Sequence, residues 1–261
     1  MEKLLSNELA LRVCSALILV FIFFLSFYYN FFPSFIGLVA LLTFFELFKI
    51  LSLEKVKSFF AIVLIPFIYL SFEVSSFSTR CLIFFSCFFL SVILIRMSKG
   101  LSHLFLPAVF ITPFLYASIS LYREYEQILI LFCVLFIASV DIGGYFVGKF
   151  FGSHQLFPKI SPKKTYEGLL GSVLFLLFSL TLFFKSSYYD LYKPDLIVLF
   201  FIFLFFSVYG DYLESFLKRK FNIKDSGNFI PGHGGILDRL DAMLFTIPAF
   251  YIYLSYLVSY D

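Results

Sequence analysis

Residues 215–241 read SFLKRKFNIKDSGNFIPGHGGILDRLD and form one long polar stretch in an otherwise hydrophobic chain. The stretch combines charged side chains of both signs with one histidine and four glycines. Hydrophobic segments flank it on both sides, so its charges must lie at a membrane surface or line a wet cavity. Ionisable groups at membrane depth are expensive to keep, which makes this stretch the first candidate for function.

The composition of the whole chain predicts a membrane protein. Hydrophobic residues make up 61% of the 261 positions and charged residues only 14%, with a mean hydropathy of +0.96. The 42 phenylalanines and 17 tyrosines are more than a water-soluble protein of this length would carry. Because α-helices satisfy their own backbone groups in lipid, the predicted fold class is an all-α polytopic integral membrane protein.

Hydropathy and the length needed to cross a bilayer predict about nine membrane spans. These predicted spans are 13–29, 35–51, 59–73, 80–96, 104–121, 127–141, 168–186, 196–212 and 241–258. With nine spans, 16 of the 20 Lys and Arg residues fall on one side of the membrane. By the positive-inside rule, the N-terminus and the long connections 142–167 and 213–240 face the cytoplasm, and the C-terminus faces out. A polar cavity formed by these connections would open to the cytoplasm.

Other features of the composition argue against several classes of protein. The four cysteines lie in or beside apolar runs without CxxC spacing, which favours buried hydrophobic residues over disulfides or metal ligands. No basic block resembles a nucleic-acid-binding arm, so we expect no nucleic-acid partner. Neither a P-loop sequence nor a Ser-His-Asp arrangement is present.

Polar residues of the first long connection predict an anion site. Asp141 is the last residue of the sixth predicted span, where its carboxylate needs a partner. Two partners fit equally well: a lysine of the protein, or a bound substrate or metal ion. Ser161 followed by Pro162 predicts the N-cap and first turn of a helix. Lys163 and Lys164 would then lie where the helix dipole disfavours positive charge unless an anion binds beside them. This pattern favours phosphate binding.

Acidic residues near both ends of the polar stretch predict a metal site. One helix face carries residues spaced by three, four and seven from the first, namely Asp211, Glu214, Ser215 and Lys218. Asp238 and Asp241 share a second face, and Gly234 and Gly235 before them allow a close backbone approach. Carboxylates with water and phosphate oxygens suit Mg²⁺. Positive charge for a polyphosphate would come from Lys218, Arg219, Lys224 and Arg239.

The polar stretch as a whole resembles the signature of the phosphatidate cytidylyltransferases (CDP-diacylglycerol synthases). The matched positions are Ser215, Leu217, Lys218, Arg219, Lys224, Asp225, Gly227, Ile230, Pro231, His233, Gly234, Gly235, Ile236, Asp238, Arg239, Leu240 and Asp241. The upstream run PKISPKKT, 158–165, is similar to the family as well, with Ile142 and Tyr166 as nearby departures from it. For residues 1–126 the resemblance extends only to hydropathy and length.

The resemblance implies that CTP and phosphatidate react to give CDP-diacylglycerol and pyrophosphate. Its cofactor would be Mg²⁺, with room for a second metal or a monovalent cation, and its principal metal ligands would be Asp211 and Asp238. The implied catalytic residues are Lys218, Arg219, Asp225, His233, Arg239 and Asp241. The implied substrate-binding residues are Asp141, Lys163, Lys164, Ser215, Lys224, Gly234 and Gly235.

The resemblance also implies the setting of the protein. We expect a single membrane domain, in which 1–126 forms N-terminal transmembrane helices and 127–261 forms the catalytic transmembrane region. The chain would be a multi-pass protein of a bacterial-type inner (cytoplasmic) membrane, in contact with membrane lipids. By the same resemblance it would form a homodimer.

Two other functions stay open at the level of sequence. A related membrane transferase would act on another lipid, such as an isoprenoid phosphate or alcohol. A transporter or channel would use Asp141, Asp211 and Glu46 as ion sites within the membrane. The alternative for Glu46 is a buried bond to a neighbouring helix. Transport alone does not require the Lys and Arg residues of the polar stretch, which favours the transferase.

Overall fold

A computed structural model describes residues 2–51, 65–66, 68–74, 76–96, 101–185, 195–232 and 234–260. The helices in chain order are α1 (Glu2–Tyr28), α2 (Phe32–Ile50), α3 (Phe77–Arg96), α4 (Leu101–Glu124), α5 (Ile128–Phe151), α6 (Tyr166–Phe184), α7 (Leu196–Lys220), α8 (Leu237–Leu240) and α9 (Met243–Tyr260). Two short antiparallel strands lie between α5 and α6, namely β1 (Gln155–Phe157) and β2 (Ser161–Thr165). The fold is therefore helical, with one small hairpin that the sequence did not predict.

Seven segments of the described part of the chain are long and apolar enough to cross a membrane. They are Leu11–Tyr28, Phe32–Ile50, Phe105–Glu124, Ile128–Phe151, Tyr166–Phe184, Leu196–Lys220 and Leu237–Val258. A shorter apolar segment, Phe77–Ser91, lies within α3. The predicted polytopic helical class is confirmed. The number nine stays a prediction, because residues 59–64 and 67 of the predicted span 59–73 lie outside the described residues.

Helix α4 lies at the centre of the helix bundle, and α1 lies at its edge. Over an 18-residue stretch within Phe105–Glu124 of α4, 78% of the residues are buried, against 11% over the 18 residues Leu11–Tyr28 of α1. Helix α4 packs against α2, α3 and α9, and α9 packs in turn against α7. Aromatic rings fill the spaces between helices, as where Phe136 of α5 meets Phe203 of α7 edge-on with ring centroids 4.8 Å apart. Such van der Waals packing holds helices together where lipid is as apolar as the protein.

Helices α5 and α6 cross at glycines. A Cβ added to Gly171 of α6 would lie 2.3 Å from the Gly143 backbone oxygen, and one added to Gly143 would lie 2.4 Å from the Gly171 oxygen. Gly144, Gly148 and Gly152 recur every four residues, which predicts close helix packing on one face. This is confirmed, since a Cβ on Gly144 would lie 2.7 Å from the Ser172 hydroxyl oxygen. The two backbones therefore approach more closely than any side chain allows.

The motif Ser161-Pro162 does not begin a helix, and that prediction is wrong. It opens strand β2 instead, and helix α6 starts after Thr165, whose Oγ1 accepts a hydrogen bond from the Gly168 N–H at 3.0 Å. Threonine is a good N-cap, so the chain held two N-cap candidates four residues apart. Positive charge is unfavourable in a first helical turn. The structure removes this conflict by placing the pair Lys163–Lys164 in the strand.

Candidate active site

A cavity of about 300 Å³ lies between α5, the β1–β2 hairpin, α6 and α7. Its lining includes four charged residues that the sequence analysis predicted as site residues, namely Asp141, Lys163, Lys164 and Asp211. Asp141 comes from α5 and Asp211 from α7, while both lysines come from β2. The hairpin thus supplies positive charge to a cavity whose negative charge comes from two membrane helices.

The centre of this charge arrangement is an ion pair between Lys164 and Asp211. The side chains are 27% and 24% exposed, so both remain in contact with the cavity. The Ser215 hydroxyl, one turn further along α7, donates to Asp211 Oδ1 at 3.3 Å, which confirms the predicted shared helix face. Asp141 and Asp241 lie within electrostatic range of Asp211. Carboxylates from three parts of the fold are therefore paired with Lys164 or lie within electrostatic range of it.

A second charged cluster joins α7 to α8. Lys218 Nζ lies 2.6 Å from Glu214 Oε2 and 2.9 Å from Asp238 Oδ1. The Glu214 side chain is 2% exposed, and those of Lys218 and Asp238 are 14% and 11% exposed. Removing one partner of such a pair leaves an uncompensated charge in a poorly hydrated place. The cluster therefore fixes how α8 sits against the end of α7.

Asp238 also organises the loop that precedes α8. The Ser226 N–H donates to both Asp238 oxygens, at 3.2 and 3.1 Å, and the Gly235 N–H donates to Oδ2 at 2.9 Å. Gly234 adopts a φ of +85°, a conformation that favours glycine. Its carbonyl accepts a hydrogen bond from the Ile230 N–H at 3.0 Å, which closes the turn. The glycine pair allows the backbone to approach the Asp238 carboxylate.

Arg219 connects the end of α7 to the hairpin. Its side chain is exposed, and Nε donates to the backbone oxygen of Ile160 at 3.2 Å. A second nitrogen, Nη1, lies 3.5 Å from the backbone oxygen of Ile223. The contact braces the hairpin that carries the two cavity lysines. The predicted catalytic role of Arg219 stays a prediction beside this structural one.

The remaining predicted residues lie around the loop before α8. Lys224 and Asp225 are exposed, and Arg239 is exposed on α8 within electrostatic range of Asp141. His233 lies outside the described residues. The structure thus brings the acidic residues and the hairpin lysines together. The individual roles in binding and catalysis stay predictions.

Sequence reasoning missed the contact of a buried acid with this loop. Glu46 of α2 is 2% exposed, and its oxygens accept hydrogen bonds from the N–H groups of Ile236 at 2.9 Å and Leu237 at 2.8 Å. From the sequence, Glu46 is either an ion site of a transporter or the partner in a buried bond to a neighbouring helix. The second reading agrees with these contacts, but the loop and helix that it reaches were not predicted. The available signal was the charge itself, because an acid inside a membrane span needs a partner.

The acidic residues give this region the chemistry of a hard-cation site. Among the described residues, no three His, Cys, Asp or Glu side chains already form a metal-binding cluster. The two predicted principal ligands are each paired with a lysine, Asp211 with Lys164 and Asp238 with Lys218. Mg²⁺ commonly binds through one or two carboxylates together with substrate phosphates. The residues therefore fit Mg²⁺ bound along with a phosphate ligand, and the metal stays a prediction.

The fold and the cavity define a polytopic helical membrane protein with a site lined by carboxylates and lysines. The profile of the cytidylyltransferase family matches residues 10–257, so the chain belongs to that family. The resemblance seen in the polar stretch is thereby confirmed, and it agrees with the names of individual relatives.

Three curated relatives illustrate the similarity. The phosphatidate cytidylyltransferase of Bacillus subtilis (strain 168) is 44% identical over 135 residues, which cover 51% of this chain and 49% of the relative. That of Aquifex aeolicus (strain VF5) is 40% identical over 154 residues, 57% of this chain and 54% of the relative. That of Rickettsia bellii (strain RML369-C) is 45% identical over 127 residues, 46% of this chain and 54% of the relative. The chain spans about half the length of the curated relatives it matches.

Proposed function

We propose that this protein is a phosphatidate cytidylyltransferase, which converts CTP and phosphatidate into CDP-diacylglycerol and pyrophosphate. The observation that carries the proposal is the cavity in which Asp141, Lys163, Lys164 and Asp211 meet between membrane helices. A lipid phosphate can reach such a cavity from the bilayer while a nucleotide reaches it from water. The three relatives described above carry the name of this activity.

In the proposed reaction, a phosphate oxygen of phosphatidate attacks the α-phosphorus of CTP. A new P–O bond forms, the bond between the α-phosphorus and the bridging oxygen to the β-phosphate breaks, and pyrophosphate leaves with that oxygen. The lipid phosphate is already ionised at neutral pH, so the site has little proton transfer to perform. Lys163 and Lys164 would stabilise negative charge on the phosphates during the displacement. When Lys164 binds a phosphate, it would give up its ion pair with Asp211.

The proposed cofactor is Mg²⁺, which would supply charge neutralisation on the phosphate oxygens when bound. Asp211 and Asp238 are the proposed principal ligands, with Asp141 and Asp241 in support. Asp238 would first have to exchange the Lys218 ammonium for the cation, because both its oxygens already accept hydrogen bonds. Lys218 would then be available to a phosphate of the substrate.

The setting of the enzyme is part of the proposal. The described helices make the chain a multi-pass membrane protein. We place it in the inner (cytoplasmic) membrane of a bacterial-type cell, with the N-terminus and the cavity facing the cytoplasm, because most positive charges lie on that side in the sequence. Assembly into a homodimer is proposed from the family alone.

The direct test is an assay of the purified full chain in detergent with labelled CTP, phosphatidate and Mg²⁺. The expected product is labelled CDP-diacylglycerol, formed with one pyrophosphate per turnover. An isoprenoid phosphate and diacylglycerol serve as competing lipid substrates in parallel reactions. Absence of product from well-folded protein, or preference for another lipid, would remove the proposed substrate assignment.

Lys163→Ala is expected to weaken use of a phosphate substrate without damaging the fold. Lys163 is exposed and lines the cavity, so its removal loses a charge-assisted contact worth about a tenfold change in KM for CTP or phosphatidate. The matched control is Lys159→Ala, which removes an exposed lysine of the same hairpin outside the described cavity lining. Steady-state kinetics with each substrate varied in turn measure the effect. Equal kinetic constants for the two variants would show that Lys163 does not bind substrate and contributes only to the positive charge on one side of the membrane.

A further inference from the structure

Glu46 reaches the polar stretch from the opposite half of the sequence. Its carboxyl group accepts hydrogen bonds from Ser226 Oγ at 3.1 Å, from the Ile236 N–H at 2.9 Å and from the Leu237 N–H at 2.8 Å. The side chain is 2% exposed. Hydrogen bonds in such a place face little competition from water and are correspondingly strong. The contact joins α2 to the loop and helix that carry the predicted site residues.

Two of these hydrogen bonds cap helix α8. Ile236 is the N-cap residue of α8 and Leu237 is its first residue, and no side chain of the local sequence caps the helix. The first N–H groups of a helix have no acceptor inside it, so an acceptor must come from elsewhere. Glu46 supplies both of its oxygens for this purpose. The start of α8 in turn positions three predicted site residues, Asp238, Arg239 and Asp241.

Two glycines of the polar stretch pack directly against the Glu46 carboxyl group. A Cβ added to Gly227 would lie 2.6 Å from Glu46 Oε1, and one added to Gly235 would lie 2.7 Å from Oε2. The Gly235 Cβ would also lie 1.9 Å from Ser226 Oγ. Side chains at these positions would therefore displace the carboxyl group. The volume of Glu46 is a physical reason for both glycines that involves no ligand.

The donors around Glu46 distinguish between the roles open to it. A cation bound at this carboxyl group would face the N–H groups of Ile236 and Leu237 and the Ser226 hydroxyl, whose hydrogens point to the same oxygens. Glu46 is also not among the described residues that line the cavity. An ion site of a transporter therefore fits these contacts poorly. All three contacts agree with a role of Glu46 as a fixed hydrogen-bond acceptor.

We propose that Glu46 is a positioning residue, which fixes the start of α8 and thereby the placement of Asp238 and Arg239 at the active site. Its effect on catalysis rests on the proposed function, whereas its effect on the loop does not. Glu46 acts through the backbone of residues 236–237 and touches no reacting group. Helix α2, which lies outside the polar stretch in sequence, would then take a direct part in shaping the site.

Glu46→Gln is the informative substitution, because it preserves size and replaces one acceptor oxygen by an NH₂ group. In either orientation of the amide, that NH₂ group would face a backbone N–H, that of Ile236 or that of Leu237, so two donors would face each other without an acceptor. We expect kcat per folded molecule to fall by about 10- to 100-fold, the range seen when residues that orient a site are removed. Glu46→Asp keeps both oxygens and should recover part of this loss. The matched control is Thr43→Val, because Thr43 is buried one turn earlier in α2 and bonds only to Val39 O among the contacts described.

Hydrogen exchange measured by mass spectrometry tests the same inference without any assay of activity. In detergent, the peptide covering residues 234–240 is expected to exchange faster in Glu46→Gln than in the unmodified chain, and at an unchanged rate in Thr43→Val. Ser226→Ala removes one of the three bonds and gives a smaller change in the same direction if Glu46→Gln does not accumulate as folded protein. Unchanged exchange in these variants, or activity lost only in proportion to folded protein, would overturn the positioning role. If the unmodified chain had no cytidylyltransferase activity, the proposed function would be wrong. The hydrogen-exchange rates would still decide whether Glu46 positions the start of α8.

Discussion

Asp211→Asn is expected to reduce turnover by about 1,000-fold or more while the protein still accumulates in the membrane. Asparagine preserves the shape of the side chain but removes the negative charge that pairs with Lys164 in the cavity. It also removes the hard anionic oxygen that a divalent cation prefers. The measurement is the rate of CDP-diacylglycerol formation per folded molecule in detergent, at several Mg²⁺ concentrations.

The matched control for this prediction lies at the other end of the same helix. Asp195 caps the start of α7 by accepting a hydrogen bond from the Ile197 N–H at 2.8 Å. Asparagine is an equally good N-cap, so Asp195→Asn is expected to leave turnover and folding close to normal. Near-normal turnover of Asp211→Asn would contradict the metal role and leave Asp211 as the structural partner of Lys164.

Gly171→Ala is expected to destabilise the protein by about 3 kcal/mol or more, at the upper end of overpacking effects. The added Cβ would lie 2.3 Å from the Gly143 backbone oxygen and 2.5 Å from Val147 Cβ, and a backbone cannot step aside as a flexible side chain can. Helices α5 and α6 must therefore separate, which also moves Asp141 away from the hairpin lysines. A lower midpoint of thermal unfolding in detergent, together with lost activity, measures the two effects.

Gly37→Ala is the matched control, because it makes the same chemical change in another membrane helix. A Cβ at Gly37 of α2 would meet no atom within 4 Å. Alanine is the better helix former by about 1 kcal/mol, so this variant is expected to be at least as stable as the unmodified chain. If the two variants unfolded at the same temperature, the glycine crossing would not be the contact that holds α5 to α6.

The helical fold could be predicted because its signal is continuous along the chain. Long apolar segments require helices in lipid, whatever their neighbours are. The hairpin could not be predicted in the same way, because the run from Ser161 to Thr165 contains two N-cap candidates and only tertiary pairing with β1 decides between them. The conflict of Lys163 and Lys164 with the helix dipole was the one local sign that the first candidate was wrong.

Spacing along one helix predicted part of the candidate site. The stripe from Asp211 to Lys218 required only the helical period, and the Glu214–Lys218 ion pair follows that spacing. Partners that lie far apart in sequence left no such signal. The contact between Lys218 and Asp238 spans 20 positions, and that between Glu46 and Leu237 spans 191. Periodicity says which face a residue occupies and nothing about which helix meets that face.

The hydrogen bond between Arg219 and the hairpin has a consequence for which positions can diverge in evolution. Arg219 donates to the main-chain oxygen of Ile160, and every amino acid carries that oxygen. Residue 160 is therefore free to vary without loss of the contact, whereas the arginine at 219 has no substitute of equal reach and geometry. Among homologous chains, the turn between the two strands is expected to diverge while the position that holds it remains arginine.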